Sequence, residues 1–284
     1  MNNIPCPLCQ SADHRLVFDL RHVTGGHRVP GQILCCQSCG FWFKQPSNRD
    51  RIREAYEDDY AADPMTETYM LSEPTRTFFR KVIAGIGPRH GRLLDIGTGL
   101  GTFVEEAQKA GYDAQGVDLC APLVKKAQAR GLNVQCKPAE ELHSAEPFDV
   151  ITMMDIIEHV PEPLKLLAAA RRILKPGGEL VVYTPNHRAA VVLLAKLLRR
   201  VGVGFAVEEI FGGNHVGFFD DQTLLSAMNK AGFALRKMQL FPYDPSRPGQ
   251  PVSPVSLAAV TAVEQLGKPF HRMFRMLAYA QSQP

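Results

Sequence analysis

Short apolar runs alternate with amphipathic stretches over residues 92–186 of the chain. The runs are rich in Val, Ile and Leu, as is typical of buried strands, whereas the stretches between them carry apolar residues at helical spacing. This alternation indicates an α/β fold in which a parallel sheet has helices on both faces. The predicted elements are strands at 92–96, 114–117, 133–136, 148–153 and 179–183, with helices at 102–110, 122–130 and 163–174.

A glycine-rich loop, Asp95-Ile-Gly-Thr-Gly-Leu-Gly101, joins the first predicted strand to its helix. Glycine permits positive φ and a close approach of the backbone to a ligand at a helix N-terminus. A nicotinamide-binding loop would have its third glycine at position 102, so Thr102 argues against a dehydrogenase. Asp118 ends the next strand, where a carboxylate can accept hydrogen bonds from both hydroxyls of a ribose. Without Asp118, the loop would be equally compatible with a simple strand-to-helix turn.

The composition is that of an ordinary globular protein. The 284 residues suffice for one large domain, or for one domain with a small appendage. A formal net charge of +3, with 45% hydrophobic and 21% charged residues, excludes a disordered, collagen-like or strongly cationic protein. Most of the seven cysteines lie before residue 40, which marks a small N-terminal unit.

The N-terminal cysteines form two Cys-x-x-Cys pairs, Cys6 with Cys9 and Cys36 with Cys39. Two residues between thiolates let both sulfurs reach one tetrahedral zinc ion, and a unit of about 45 residues needs such a metal to complete its small core. Residues 1–45 are therefore predicted to form a zinc ribbon with four thiolate ligands and a purely structural role. Cys35 could replace Cys36 as a ligand, and unrelated structural thiols or a redox pair are the alternatives to zinc.

The N-terminus shows no basic segment followed by an apolar run, so a secretory signal is not expected. The most apolar stretch, 189–198, contains Lys196 and is shorter than the about 20 residues that cross a bilayer. We therefore expect a cytoplasmic protein without a membrane span. In that reducing compartment, paired cysteines are more often metal ligands than disulfides.

Motifs in order along residues 92–186 resemble those of the class I S-adenosylmethionine-dependent methyltransferases. They are the glycine loop at 95–101, Asp118, the segments 138–142, 148–150 and 155–159, the turn at 174–178 and Thr-Pro-Asn at 184–186. The resemblance implies a Rossmann-like methyltransferase sheet of seven strands, mostly parallel with an antiparallel last strand. The last two strands of that family form an antiparallel hairpin, which residues 233–241 and 273–280 would supply, with a helix at 255–266 between them.

The resemblance also implies S-adenosylmethionine as the cofactor. In the family, the glycine loop faces the methionine part, the acid after the second strand holds the ribose, and the loop after the third strand binds adenine. Carried over to this chain, the cofactor-binding residues are Asp95, Gly97, Thr98, Gly99, Gly101, Asp118, Leu119, Ala139 and Glu140. Pro138 departs from the family, because many relatives have an Asp there.

Methyl transfer from a sulfonium requires mainly alignment, and a base is needed only where the acceptor must lose a proton. Histidine suits that task near neutral pH. His215, in the glycine-rich segment 211–219, is the first candidate because relatives often have a His before the following helix. His159 and His187 are further candidates, and a loop histidine that only bonds a carbonyl is the alternative interpretation of His215.

Asp155, Glu158 and His159 stand at i, i+3 and i+4, on one face if the segment is helical. In ubiquinone-pathway O-methyltransferases a similar segment is associated with a divalent ion, so a magnesium site is one interpretation. The same segment occurs in many metal-free relatives, in which its first residue, here Asp155, touches the cofactor. A helix surface or cap is the third interpretation.

Residues 46–87 predict a helical linker between the ribbon and a methyltransferase domain at 88–284. Its aromatic residues form either core or a lid over the cofactor, with Tyr69 and Arg76 near the methionine end. These aromatic residues are Tyr56, Tyr60, Tyr69, Phe78 and Phe79. The stretch 189–198 predicts ordinary packing, with an acceptor wall or an interface as alternatives.

Three functions are compatible with these features. The first is methyl transfer to O, N or C of a small metabolite in a biosynthetic pathway, because a ribbon before such a domain resembles bacterial methyltransferases of sugars and other small metabolites. The second is an RNA methyltransferase guided by the ribbon, as in ribosomal RNA enzymes with a Cys-Pro-Leu-Cys ribbon. Those have a Cys-x-x-x-His second half that this chain lacks, and residues 1–50 hold few basic side chains, so nucleic acid is not expected. The third is a non-catalytic partner protein, against which the intact cofactor motifs argue.

Overall fold

The structure is a computed structural model that describes residues 4–22, 29–45, 64–87, 90–142, 146–242 and 254–283. Its strands are β1 (His14–Asp19), β2 (Gln32–Cys36), β3 (Trp42–Gln45), β4 (Gly91–Ile96), β5 (Tyr112–Asp118), β6 (Val134–Cys136), β7 (Phe148–Met154), β8 (Leu174–Pro185), β9 (Gly217–Phe218), β10 (Phe233–Phe241) and β11 (Arg275–Ser282). Its helices are α1 (Pro64–Met70), α2 (Glu73–Ala84), α3 (Thr102–Lys109), α4 (Ala121–Ala129), α5 (Pro163–Ile173), α6 (Ala190–Arg200), α7 (Phe205–Phe211), α8 (Asp221–Lys230) and α9 (Pro254–Gly267).

A seven-stranded sheet in the order β10-β11-β8-β7-β4-β5-β6 forms the centre of the fold. β8, β7, β4, β5 and β6 are parallel, whereas β11 is antiparallel to both of its neighbours. The apolar runs of the central strands are buried on both faces, which is why they read as continuous rather than alternating patterns. The predicted α/β fold, with its mostly parallel sheet, is confirmed.

The C-terminal hairpin brings its own residues to the carboxyl edge of the parallel strands. Because β11 runs against β8, its first residue Arg275 pairs with Pro185 near the end of β8. Phe241 ends β10 and lies opposite Arg275. The edge that the sequence predicts as the ligand site therefore includes two residues from the end of the chain.

The N-terminal region forms a second, antiparallel sheet in the order β1-β2-β3-β9. Three of its strands come from the predicted ribbon, and the fourth, β9, comes from the segment between α7 and α8. Cys6, Phe41 and Phe43 are buried in the same apolar cluster as Ile151 of the central sheet. The ribbon is thus built into the rest of the fold by strand pairing and by a shared core.

The segment after β7 corrects the expected helical face of Asp155, Glu158 and His159. β7 ends at Met154, Asp155 has a left-handed backbone with φ of 57°, and only Ile157–His159 forms a single 3-10 turn. Since no α-helix spans these positions, the i, i+3, i+4 spacing does not place the three side chains on one face.

The linker prediction falls partly outside the described residues, since Tyr56 and Tyr60 are not among them. The described part forms α1 and α2, as a helical linker requires.

The apolar stretch at 189–198 becomes most of α6, which buries Val192 and Ala195 while Leu197 stays 56% exposed. No described helix has the length and apolar character that crossing a membrane would require.

Candidate functional site

A cavity of about 700 Å³ opens at the carboxyl edge of the central sheet. The loop after β4, the ends of β5, β7 and β8, the helices α1 and α2, and the start of β11 surround it. This volume is in the range of sites for cofactor-sized molecules. The cavity lies where the order of parallel strands predicted the ligand.

The glycine loop forms one wall of the cavity. Gly97, Gly99 and Gly101 all have positive φ, at 75°, 53° and 75°. A Cβ at Gly97 would lie 1.9 Å from the side chain of Ile156, so a larger residue there would have to displace Ile156 and would also be strained by the positive φ. Gly97 and Gly99 line the cavity, whereas Gly101 caps α3 behind it, where a Cβ would meet Leu132 at 2.5 Å. The structure places Gly101 in close packing rather than at the cavity surface.

Polar groups cluster at the glycine-loop end of the cavity. Asp95 is 2% exposed and accepts a hydrogen bond from Thr152 Oγ1 at 2.6 Å. Burial raises the pKa of Asp95 to about 7. Thr102, the first residue of α3, also lines the cavity, and its buried hydroxyl has no hydrogen-bond partner among the described residues. Because a buried hydroxyl without a partner is costly, Thr102 fits a polar group of a bound ligand.

Asp118 is fixed at the end of β5. Its Oδ2 accepts a hydrogen bond from the amide of Gly99 at 2.7 Å, and its Oδ1 accepts one from the amide of Cys120 at 2.8 Å. Burial raises the pKa of this carboxyl above its ordinary value. The carboxylate faces the cavity, so it can accept hydrogen bonds from hydroxyl groups of a ligand.

Apolar residues line the neighbouring part of the cavity. Ala139, which the resemblance assigns to the adenine, lines it together with Leu123 and with Leu119, which the resemblance groups with Asp118. Glu140 belongs to the 3-10 turn Ala139–Glu141, but its side chain lies outside the described part of the chain. Flat apolar surfaces of this kind suit an aromatic base.

The two predicted lid residues differ in position. Tyr69 lines the cavity, but Arg76 does not. Both ends of the Arg76 guanidinium are paired with α3, with Nη1 2.6 Å from Glu106 Oε1 and Nη2 3.0 Å from Glu105 Oε2. The structure therefore corrects the expected position of Arg76, which links α2 to α3 instead of facing a ligand.

Two imidazole rings meet at the other end of the cavity. His159 and His215 both line it, and their ring centroids are 4.6 Å apart in an edge-to-face arrangement. His159 Nδ1 is 3.4 Å from the carbonyl oxygen of Asn214, so this nitrogen carries the proton. Burial lowers the pKa of His159 to about 4 and that of His215 well below its ordinary value. The lowered pKa values favour the neutral form of both rings, in which one ring nitrogen of each carries no proton.

His187 lies elsewhere. It does not line the large cavity but a separate one of about 30 Å³, which it shares with Glu158 and His215. The ring of His187 packs against Trp42 of the ribbon at 4.9 Å between centroids. Of the three candidate bases, only His159 and His215 therefore face the ligand space.

The acidic residues beside these rings already have hydrogen-bond partners. Arg275 Nη1 donates a hydrogen bond to Asp155 Oδ1, and Thr184 donates one to Glu158 Oε2 at 2.8 Å. Burial, and then the charge of Asp155, raises the pKa of Glu158 to about 8. Within the described residues, the ligating atoms of Glu158, His159 and His215 lie within 4.8 Å of one another, whereas Asp155 is not part of that group.

An aromatic wall and one arginine complete the site, and sequence reasoning missed most of them. Phe78 packs against Tyr183 at 4.8 Å and against Phe241 at 5.9 Å between centroids, and all three line the cavity. The Arg275 guanidinium lies 5.3 Å from the Tyr183 ring. The antiparallel hairpin was the available signal, because it brings the end of β10 and the start of β11 to the ligand edge.

Four thiols converge in the ribbon. The Sγ atoms of Cys6 and Cys39 are 3.6 Å apart, those of Cys9 and Cys36 are 3.4 Å apart, and all four lie within 4.8 Å of one another. Sulfurs bound to zinc at about 2.3 Å in a tetrahedron would be about 3.8 Å apart, so these residues fit the metal. Cys35 is buried outside this group.

Comparisons with known proteins agree with this architecture. Residues 69–238 match the methyltransferase domain family. Ubiquinone biosynthesis O-methyltransferase of Methylococcus capsulatus is 33% identical over 193 residues, covering 64% of this chain and 79% of that protein. The protein of the same name from Xylella fastidiosa strain M23 is 28% identical over 225 residues, covering 71% of this chain and 89% of that protein.

Solved structures show the same fold. An S-adenosylmethionine-dependent methyltransferase from Archaeoglobus fulgidus has a TM-score of 0.52 at 20% identity, covering 83% of this chain and 100% of that chain. One from Thermotoga maritima has a TM-score of 0.57 at 20% identity, covering 82% of this chain and 100% of that chain. At these identities the likeness concerns the fold alone.

Proposed function

Since the chain belongs to the S-adenosylmethionine-dependent methyltransferases, we propose that it transfers a methyl group from S-adenosylmethionine to a hydroxyl oxygen of a small metabolite in a biosynthetic pathway. The observation that carries the proposal is the pair of neutral imidazoles, His159 and His215, facing the same cavity as the glycine loop and Asp118. The names of the related O-methyltransferases support oxygen over nitrogen or carbon as the methylated atom.

The proposed cofactor site uses the glycine-loop half of the cavity. S-adenosylmethionine supplies an electrophilic methyl group on its sulfonium when bound. Asp95 and Thr102, with the amides of the glycine loop, hold the charged methionine end, because both line the cavity beside that loop and the buried Thr102 hydroxyl has no partner among the described residues. Asp118 accepts hydrogen bonds from the ribose hydroxyls. Leu119 and Ala139 enclose the adenine.

Other predicted cofactor residues keep a place in the proposal. Tyr69 covers the cavity from α1, and Thr98 and Gly99 supply backbone to its floor. Asp155 faces the cavity from the position directly after β7, with its charge balanced by Arg275. Gly101 contributes by packing, and Arg76 by joining α2 to α3.

We assign the acceptor to the half of the cavity lined by His215 and the aromatic wall. A neutral His215 can accept the hydroxyl proton as the oxygen attacks, and His159 supports the ring edge to face. Phe78, Tyr183 and Phe241 suit an acceptor with a flat apolar body. Alignment against this wall supplies the in-line geometry that methyl transfer needs.

We further propose that Cys6, Cys9, Cys36 and Cys39 bind one structural zinc ion in a ribbon formed by residues 1–45. The converging sulfurs support this, and the absence of a fifth neighbouring donor among the described residues supports a closed, non-catalytic site. Thiolate ligands need a reducing environment, so the cytoplasm is the proposed compartment. Residues 46–87 and 88–284 remain the proposed linker and methyltransferase domain.

A small molecule is the proposed acceptor in preference to RNA. The formal net charge is only +3 for 284 residues, and the cavity is lined mainly by apolar side chains. RNA binding requires a basic surface that neutralises many phosphates. Magnesium is not part of the proposal, because Asp155 is paired with Arg275 and the group of Glu158, His159 and His215 contains a single carboxylate, whereas Mg²⁺ prefers oxygen ligands.

Two measurements test the proposed function. Calorimetry with S-adenosylhomocysteine should give a dissociation constant in the micromolar range, about −8 kcal/mol of binding free energy. Metabolite masses compared between cells with and without the gene should reveal a pair that differs by one methyl group. A protein that does not bind S-adenosylhomocysteine would be a non-catalytic partner, and tight, salt-dependent RNA binding with no such metabolite pair would favour the RNA enzyme.

A further inference from the structure

The ribbon strand β3 lies directly behind the loop that carries His215. β3 pairs with β9, with Trp42 opposite Phe218 and Phe43 opposite Gly217. The pairing continues into the loop, because the Lys44 amide donates to the Val216 carbonyl at 2.8 Å. Residues 212–216, here called the histidine loop, are therefore an extension of the ribbon sheet.

The opposite side of the histidine loop contacts the 3-10 turn at Ile157–His159. The amide of Val216 donates to the carbonyl of Glu158 at 2.8 Å. The carbonyl of Asn214 faces His159 Nδ1 at 3.4 Å, next to the edge-to-face contact of the His159 and His215 rings. The loop is held between the ribbon on one side and the cavity wall on the other.

Lys44 connects the ribbon to the middle of this loop. Its side chain is 0% exposed, and its ammonium group donates to the carbonyl oxygens of Gly213 and, at 3.2 Å, of Val29. No acidic side chain pairs with it in the described part of the chain. Gly31 leaves room for the lysine stem, since a Cβ there would lie 2.8 Å from Lys44 Cγ.

Burying an ammonium group whose only partners are carbonyl oxygens is unfavourable for the free energy of folding, because the group loses its hydration. Desolvation lowers the pKa of Lys44 to about 7, which reflects that cost. Gly213 itself has no side chain, and the position of a Cβ on it has no atom within 4 Å. The lysine hydrogen bond therefore provides an anchor that packing does not provide at this point of the loop.

We propose that Lys44 is a positioning residue. Its ammonium group holds the Gly213 carbonyl, and thereby keeps the two residues that follow, Asn214 and His215, at the acceptor half of the cavity. The role of His215 as base rests on the proposed function, but the hold on the loop does not. The ribbon then helps to position the acceptor site. A substitution in the ribbon therefore alters turnover without changing the cofactor half of the cavity.

Hydrogen exchange followed by mass spectrometry tests the proposal in the full-length protein. Lys44→Met keeps most of the length of the side chain but donates no hydrogen bond. It should raise exchange of the Gly212 and Val216 amides, which donate to the carbonyl oxygens of Glu208 and Glu158 at the two ends of the loop, by about 10-fold or more, as expected when an anchored loop opens locally. S-adenosylhomocysteine affinity, measured by calorimetry, should stay within about 2-fold, because Lys44 does not line the large cavity.

Two further variants separate anchoring from general damage. Lys44→Arg keeps donors for both carbonyls and should restore most of the loop protection. Arg21→Met removes a ribbon cation whose side chain is 66% exposed and should leave the loop unchanged. The NMR signals of the His215 ring, assigned by their loss in His215→Gln, should move in Lys44→Met and return in Lys44→Arg.

The single tryptophan, Trp42, reports whether the ribbon itself stays docked, because its ring packs on His187. If Lys44→Met loses that fluorescence signature, Lys44→Gln gives the same test in a milder form, with donors on a shorter side chain. Unchanged exchange of the Gly212 and Val216 amides in a docked Lys44→Met or Lys44→Gln protein would overturn the proposal. A wild-type protein that does not bind S-adenosylhomocysteine would instead contradict the proposed function.

Discussion

The carboxylate of Asp118 accepts a hydrogen bond from the backbone amide of Gly99 at 2.7 Å. This contact ties the end of β5 to the glycine loop that follows β4. The same carboxylate is the proposed acceptor for the ribose hydroxyls, so one side chain both shapes the loop and contacts the cofactor. Its burial makes each of these hydrogen bonds stronger than the same bond at an exposed carboxylate.

Replacing Asp118 by alanine should weaken S-adenosylhomocysteine binding by at least about 10-fold, because the loss of charge-assisted hydrogen bonds costs about 1.5–3 kcal/mol each. Calorimetry measures the change, and circular dichroism checks that the fold is retained. Asp113→Ala is the matched control, since Asp113 lies on the same strand with its side chain 75% exposed. Equal affinity of the Asp118→Ala and wild-type proteins would show that the ribose assignment is wrong.

Gly97→Ala should abolish measurable cofactor binding. Its Cβ would lie 1.9 Å from the Ile156 side chain, and φ is 75°, so either the loop or the Ile156 side chain, both of which line the cavity, must move. Gly111→Ala is the control, because Gly111 has φ of 97° but no atom within 4 Å of a Cβ. The control should lose about 1–2 kcal/mol of stability from backbone strain and keep its affinity. Equal binding by both variants would contradict the steric argument.

The central sheet and the cofactor half of the cavity could be predicted from the sequence because their signals are local. A buried parallel strand reads as an apolar run, and the loop at 95–101 has its glycines where positive φ is needed. Asp118 follows from the strand that precedes it. Each of these features depends on a few consecutive residues, so no tertiary information was required.

The acceptor half depends on contacts between distant parts of the chain. Arg275 reaches the site because β11 is antiparallel. Its partner Asp155 reaches the site because the backbone is left-handed at Asp155. The strand pairing of β3 with the short segment 216–218 has no local signal in the sequence. The spacing of Asp155, Glu158 and His159 would place them on one face only in a helix, and the segment forms a single 3-10 turn instead.

The purified protein should contain one zinc ion per chain, and Cys36→Ser should lose it. Cys36 belongs to the group of converging sulfurs, whereas Cys35 on the neighbouring position does not. Cys35→Ser is therefore the matched control and should keep the metal. Elemental analysis of the two variants decides between the cysteines, and zinc retained in Cys36→Ser but lost in Cys35→Ser would reverse the assignment.

Glu158→Gln should make the stability of the folded protein less sensitive to rising pH. Burial raises the pKa of folded Glu158 to about 8 from 4.5, so below 4.5 the group is protonated in both states. As pH rises from there to about 8, only the unfolded chain has released the proton, and the wild type loses stability over this window. The glutamine variant has no such proton and keeps an oxygen for Thr184. Its melting temperature should therefore gain on the wild type by a few degrees between pH 5 and pH 8.

Glu162→Gln is the control for this pH dependence, because Glu162 lies close in the chain with its side chain 49% exposed. The difference in melting temperature between Glu162→Gln and the wild type should stay constant from pH 5 to pH 8. A constant difference for Glu158→Gln as well would mean that Glu158 ionises in the folded protein as easily as in the unfolded chain.

His215→Gln should lower turnover of the identified acceptor by about 100-fold or more while leaving S-adenosylhomocysteine affinity within about 2-fold, as expected for loss of a general base. Because burial holds the pKa of His215 well below 6.5, wild-type turnover should be flat between pH 6 and pH 7, where an ordinary histidine titrates. His187→Gln is the control, since His187 is also buried but does not line the large cavity. Steady-state kinetics with both variants measure the effect. A fully active His215→Gln, or an equal loss in His187→Gln, would remove His215 from the role of base.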